Sequence, residues 1–355
     1  MRPLINDLVI QEHLCNMKCK YCLTKSSEFE KEGNNHPNGI HQYCNNSILK
    51  NNLDTISDVL FTTFDIGILK ISGGEVLLIK GIEDYIIREA AKYKTVQLLT
   101  NGILLNKEVL DRLKNLKNFC IQISLDHNEM EGNQYRTSNQ HILDCILSNI
   151  DYVVQLKIPL EINCVLTDKN TGTLMTFLDY LLKYDFKLMV LPFPIRGNDK
   201  DVFLPLKEQL CEIENIIDNY ETYKGILPCK PYLEELLLFM KNGKRRYPCY
   251  FPNISVGSFD DGEITPCSNY WFVSLGNLLN TNYKLAIDKI GKDRIYKVLT
   301  GNHRKHTICE QCFTPWELIN LYFAGVISID ELCAEPLYSN HDIREYFMNF
   351  KTKLQ

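Results

Sequence analysis

The sequence of this 355-residue chain predicts an α/β fold: a partial (β/α)6, TIM-like barrel followed by a smaller C-terminal α+β domain. Three observations carry the prediction. Short β-type runs alternate with stretches of helical periodicity six times between residues 8 and 194. Residues able to do chemistry gather at the ends of those runs, where parallel β/α architectures place their sites. Beyond residue 195 the alternation stops, and from about residue 247 aromatic residues, cysteines and turns take over. Six units are fewer than the eight of a closed barrel, so the barrel is expected to be open.

The first strand is read over "LVIQEHL" (8–14). "SILKNNLDTISDVLFTTF" (47–64) sets Leu49, Leu53, Ile56, Leu60 and Phe64 on one face, which is helical spacing. "ILKISGGE" (68–75) is a second strand running into a glycine turn, and "IEDYIIREAAKY" (82–93) is helical. "TVQLLTNG" (95–102) is a third strand closed by Asn-Gly, followed by the helical "KEVLDRLKNL" (107–116). "FCIQISLD" (119–126) is the fourth strand, with a helix around 141–156. "PLEINCVL" (159–166) and "KLMVLPFP" (187–194) are the fifth and sixth, separated by a helix around 172–184. "PLKEQLCEIENIIDNY" (205–220) is one amphipathic linker helix, and "ISVGSFDDGEITPC" (254–267) is a hairpin around Asp261-Gly262. The expected division is a barrel over 1–195, a helical linker over 196–244 and a second domain over 245–355.

Composition narrows the function classes. At 45% hydrophobic and 23% charged, the chain is of ordinary globular make-up. Its net charge of −5 sets up no bulk attraction for nucleic acid or anionic membrane. The compact basic run "KNGKRRY" (241–247) reads as a solvated turn. No stretch reaches the roughly 18 apolar residues of a membrane span, and the polar N-terminal stretch is too short for a signal peptide. A cytoplasmic location is expected. Fourteen cysteines then need a reason. Disulfide frameworks belong to small secreted domains, so metal or cluster ligation, with some plain buried thiols, fits better.

The stretch "LCNMKCKYC" (14–22) holds Cys15, Cys19 and Cys22, spaced C-x3-C-x2-C. Ordinary iron–sulfur clusters and closed metal sites use four protein ligands. Three thiolates leave one iron open for a small bidentate ligand. A zinc knuckle is the alternative, with His13, His36 or Cys44 as the fourth ligand. Period-two alternation on the fourth strand puts Cys120, Gln122 and Ser124 on the face toward the barrel interior, with Ile121 and Ile123 outward. On the fifth strand Glu161 and Asn163 face inward and Cys164 outward.

With its C-x3-C-x2-C and the aromatic Tyr21 before the last cysteine, just after the first strand, the sequence resembles the radical SAM superfamily. The resemblance implies a [4Fe–4S] cluster on Cys15, Cys19 and Cys22 that binds S-adenosyl-L-methionine (SAM) at its open iron. It implies that the turn Gly73, Gly74, Glu75 holds the SAM amine. Val76 stands where family members often have proline. It further implies SAM contacts from Thr100, Ser124, Asp126 and Arg136, the last pairing with the SAM carboxylate. Cys249, Cys267, Cys309 and Cys312, with Gly262 between the first two and "LGNLL" (275–279) following, resemble the C-terminal module of the SPASM/twitch group. That resemblance implies a second, auxiliary [4Fe–4S] cluster in the shorter, twitch-like form. A zinc site on the same four thiols is the alternative, and Cys333 could replace or cap one of them. Cys44, Cys120, Cys145, Cys164, Cys211 and Cys229 read as plain core or surface thiols, with Cys120 the exception to watch because its face points inward.

The activity implied is reductive cleavage of SAM to a 5′-deoxyadenosyl radical and abstraction of a substrate hydrogen, with an external donor such as flavodoxin or ferredoxin. The expected substrate is a ribosomally made peptide undergoing oxidative modification or crosslinking. The alternative is dehydrogenation of a small molecule such as an aminocyclitol or sugar. With the first strand expected near residue 8, no N-terminal leader-recognition domain is expected, so a peptide enzyme of this build calls for a separate recognition protein.

Overall fold

The structure is a computed structural model that describes residues 3–25, 46–300 and 307–354. Cys44 and His36, two of the alternative zinc ligands, lie outside the described residues.

Six strands, β1 (Ile5–Ile10), β2 (Ile68–Gly73), β3 (Thr95–Thr100), β4 (Phe119–Ser124), β5 (Leu160–Leu166) and β6 (Leu188–Pro194), run parallel in the order β6-β5-β4-β3-β2-β1. Helices α1 (Asn46–Phe64), α2 (Ile82–Ala90), α3 (Lys107–Leu113), α4 (Gln140–Gln155) and α5 (Leu174–Leu181) fill the crossovers. Leu49, Leu53, Ile56 and Leu60 of α1 are buried, as their spacing requires of a helix packed on a sheet. The sheet is open rather than closed, in keeping with a partial barrel.

β1 lies earlier than the sequence suggests. Gln11 adopts φ +47°, which takes the chain out of the extended region immediately after Ile10. The linker also differs: helix α6 covers Leu210–Asp218, and helix α7 (Lys230–Asn242) follows it before the C-terminal region. There β7 (Ser255–Phe259) pairs parallel with β1, and β8 (Glu263–Thr265) and β9 (Gly276–Asn277) continue antiparallel. One nine-stranded sheet therefore runs from the barrel into the C-terminal segment. We keep the division at 195 and 245 as a proposal about chain segments on that shared sheet. Gly262 turns the β7–β8 hairpin at φ +90°, a conformation suited to glycine.

The barrel interior is polar near its floor. Lys70 Nζ donates to Gln122 Oε1 at 3.0 Å, and Gln97 and Gln122 donate to Glu161 Oε2 at 2.7 and 2.8 Å. Asn163 Nδ2 also donates to Gln122 Oε1, at 3.1 Å. Glu161 Oε1 accepts from the Leu337 backbone N at 2.9 Å, so the C-terminal turn Pro336–Tyr338 seals the end of the sheet where the strands begin. The opposite end, where the strands finish, stays open. Among the described residues no helix is long and apolar enough to cross a membrane.

Two glycines let the β1 and β2 ends close on each other. A Cβ on Gly73 would overlap the Ile10 carbonyl oxygen, and one on Gly74 would overlap the Leu14 carbonyl. The space beside Gly74 is thus taken by the loop after β1, which it also binds through Glu75 N to Leu14 O at 2.7 Å. Gly74→Ala is expected to destabilise the chain by about 1–3 kcal/mol or more, because backbone cannot yield as a side chain can. Gly225→Ala, whose Cβ would meet nothing within 4 Å, should leave the denaturation midpoint unchanged or slightly raised. Equal behaviour of the two variants in chemical denaturation would remove this role for Gly74.

Candidate functional site

The loop carrying Cys15, Cys19 and Cys22 rises from the end of β1 and has no regular structure beyond single turns. Two buried carboxylates anchor it, one on each flank. Glu75, at the end of β2, accepts from Thr100 Oγ1 at 2.8 Å, the Asn101 N at 2.8 Å and the Leu77 N at 3.1 Å. It is 1% exposed, and burial raises its pKa against those three hydrogen bonds. Asn101, oriented by this clamp, donates to Asn16 Oδ1 at 2.8 Å and lies 3.9 Å from Cys15 Sγ.

On the other flank Asp126, just past β4, accepts from the Tyr21 hydroxyl and from the Val165 N at 3.0 Å. Arg136 Nε stands 3.9 Å from the same carboxylate. Burial raises the pKa of Asp126, with Arg136 the first influence opposing it. Lys20 N donates to Tyr135 O at 2.8 Å, which fastens the loop to the segment bearing Arg136.

Arg136 is the informative residue. Its side chain is 9% exposed, and its Nε and Nη1 have no hydrogen-bond partner. Burial works against its charge, yet Tyr21, Asp126, Cys19 and Cys22 together raise its pKa above the ordinary value. A buried cation with idle donors beside two cysteines fits an anionic group held by those thiolates. The residues present therefore fit an iron–sulfur cluster.

The three cysteines border a cavity of about 320 Å³ at the open end of the barrel. Tyr21, Gly73, Gly74 and Ser124 also line it. Glu75, Thr100, Asp126 and Arg136 do not; they form the scaffold behind the lining. The alternation on β4 and β5 is reproduced, with Ser124 and Asn163 on the cavity and Gln122, Cys120 and Glu161 in the interior. Cys164 points the other way, to Asp126 O and Asn170. Several lining residues carry no motif: Asp7, Glu12, Lys70, Arg196 and Trp316. Asp7 is buried, and burial raises its pKa against Lys70. A charge in the middle of a strand is the one sequence signal that could have marked Asp7 and Lys70.

Cys249, Cys267, Cys309 and Cys312 come together around a second, smaller cavity. Arg245 lines it as well, ion-paired to the buried Glu317. Burial works against the Arg245 charge, but Cys249, Cys312 and Cys309 raise its pKa. The basic run at 241–247 is thus only partly solvated: Lys244 is exposed, Arg246 pairs with Glu235, and Arg245 is buried beside four thiols. Asn269, Thr314 and Trp316 line both cavities and form a shared wall. Trp316 is stacked on Phe251 and has Lys70 Nζ 4.5 Å from its ring centroid. Cys333 caps the C-terminal end of the short helix Ile329–Leu332, which Ser328 and Glu331 open with a capping box, and it is not on the second cavity. Among the described residues no three His, Cys, Asp or Glu side chains converge as ligands of a single metal ion would.

Residues 13–181 match the Radical SAM superfamily. A GTP 3′,8-cyclase of Helicobacter pylori (strain ATCC 700392 / 26695) is 25% identical over 269 residues, 72% of this chain and 78% of that protein. The antilisterial bacteriocin subtilosin biosynthesis protein AlbA of Bacillus subtilis (strain 168) is 23% identical over 319 residues, 84% of this chain and 63% of AlbA. In fold, the chain is similar to anSMEcpe with bound S-adenosylmethionine, with TM-score 0.62, 16% identity and coverage of 99% of this chain and 96% of that one. It is also similar to Streptococcus suis SuiB bound to S-adenosylmethionine, with TM-score 0.61, 15% identity and coverage of 90% and 74%. These neighbours are SPASM/twitch-type radical SAM enzymes. The chain carries a radical SAM domain.

Asp126→Ala removes the acceptor of Tyr21 and Val165 and leaves Arg136 without its carboxylate. The expected loss is about 3–5 kcal/mol in denaturant unfolding, as for a buried pair stripped of one partner. Asp126→Asn should lose less, because it keeps an acceptor. A fully stable Asp126→Ala protein would contradict the anchoring role.

Proposed function

We propose, from the premise that this chain is a radical SAM enzyme, that Cys15, Cys19 and Cys22 hold a [4Fe–4S] cluster and that SAM lies in the adjoining cavity. Cys249, Cys267, Cys309 and Cys312 hold a second [4Fe–4S] cluster across the wall of Asn269, Thr314 and Trp316. The observation that carries this reading is that two cysteine sets, each with its own buried arginine, flank that one wall. With the cluster on Cys15, Cys19 and Cys22 and SAM bound beside it, one electron from the cluster would break the SAM sulfur–C5′ bond, giving methionine and a 5′-deoxyadenosyl radical that takes a substrate hydrogen.

The chain's own residues do the rest. Gly73, Gly74 and Ser124 shape the SAM side of the cavity. Glu75 and Thr100 hold that side rigid from behind, as Asp126 and Arg136 do for the cysteine loop. Trp316 and Phe193 screen the space from water, which protects a reactive radical. Asp7, Lys70 and Arg196 give the interior polar groups that can orient a substrate. Net oxidation follows if the second cluster accepts the substrate radical's electron.

The substrate we favour is a ribosomally made peptide, modified or crosslinked oxidatively. The likeness to AlbA supports this, as does the fold shared with SuiB, which has been solved bound to the precursor peptide SuiA. An external donor such as flavodoxin or ferredoxin supplies the electron, a separate recognition protein presents the peptide, and the compartment is the cytosol. A second reading, radical chemistry on a small molecule such as an aminocyclitol or sugar, is favoured by the similarity to GTP 3′,8-cyclases, whose named substrate is a nucleotide and not a peptide.

Cys15, Cys19 and Cys22 changed together to Ala should abolish 5′-deoxyadenosine formation under reducing anaerobic conditions; continued formation would overturn the SAM assignment. Cys309→Ala should spare SAM cleavage and stop substrate oxidation. Incubation with a short peptide encoded beside the gene should yield a product lighter by two hydrogens. Turnover of GTP or of a sugar in place of the peptide would select the second reading.

A further inference from the structure

The chain leaves β1 through Gln11 in the left-handed region, at φ +47°, and the next residue, Glu12, lines the large cavity. Glu12 is 8% exposed, and its Oε2 has no hydrogen-bond partner. Its Oε1 lies 3.1 Å from His13 Nε2. Burial, Asp260 and Asp261 push its pKa up to about 8. The lining cations Lys70 and Arg196 act on Asp7 instead, where they oppose the rise that burial causes. Glu12 is thus a buried acid among other acids, on the wall of a ligand-sized space and with one buried oxygen that has no hydrogen-bond partner. A carboxylate in that position is relieved by a cation brought in by a ligand.

Resting on the reading that this cavity holds SAM and substrate, we propose that Glu12 is the anionic subsite of the cavity and receives a primary ammonium group. The ligand that brings that ammonium is the substrate, with an alkylammonium such as a lysine side chain or an aminocyclitol, since the resemblance gives the amino-acid end of SAM to the open iron and the Gly73–Glu75 turn. The idle Oε2 accepts from the ammonium while Oε1 stays beside His13.

The test uses the full chain with its clusters reconstituted anaerobically, as wild type and as Glu12→Gln, which keeps the size of the side chain. Three probes are titrated by calorimetry: SAM, its desamino analogue, and n-butylammonium added to the SAM-loaded protein. The proposal expects Glu12→Gln to weaken n-butylammonium about tenfold or more, the scale of a charged hydrogen bond, while SAM and the desamino analogue bind as before. Weakened n-butylammonium with unchanged SAM supports the substrate subsite; weakened SAM with unchanged n-butylammonium overturns it. Glu12→Asp, which restores the charge, should recover part of the affinity and so separates charge from folding. Unchanged affinity for n-butylammonium, or equal loss of SAM and its desamino analogue, overturns the proposal and leaves the cavity assignment standing. Wild-type protein that binds neither SAM nor its analogue overturns the cavity assignment and the proposal together.

Discussion

A buried arginine beside each set of cysteines, backed by a buried carboxylate, is the arrangement on which the rest of the structure depends. Arg136 with Asp126 stands at the first set, and Arg245 with Glu317 at the second. Taking a guanidinium out of water costs several kcal/mol unless anions surround it. One carboxylate offsets part of that cost. On the proposed reading, thiolates carrying a cluster would offset the remainder, because they would place more negative charge against the same cation. Each cysteine set thus has a cation beside it that complements an anionic group.

That constraint explains the local architecture. Asp126 can serve Tyr21, Val165 and Arg136 at once only because β4 ends where it does, beside the loop that follows β1. Glu75 performs the matching task on the other flank by joining the ends of β2 and β3. The glycines before it allow the cysteine loop to lie against β2. The second set is brought close because β7 pairs with β1, which places the C-terminal segment against the first cavity. Trp316 then becomes a wall common to both.

Much of this was legible in the sequence. The six strands, their order and the inward faces of β4 and β5 followed from alternation, and both cysteine sets stood out by spacing. Other features were not legible, for physical reasons. Glu75 and Thr100 carry motif identities, but only coordinates reveal that they satisfy each other behind the cavity. Arg245 sits in a run with four basic residues among seven (241–247), and a charge pattern does not distinguish the member that turns inward. Glu12 has no motif, and its meaning comes from the turn at Gln11 and from acids more than 240 residues away. The continuation of the sheet into β7 is a long-range pairing that no local pattern encodes.

The central claim is that both cysteine sets hold clusters across one wall. It is tested most directly by iron, sulfide and zinc analysis of the anaerobically reconstituted full chain. The account predicts about eight irons and eight sulfides per chain, with no zinc. About four irons and four sulfides with one zinc would contradict it.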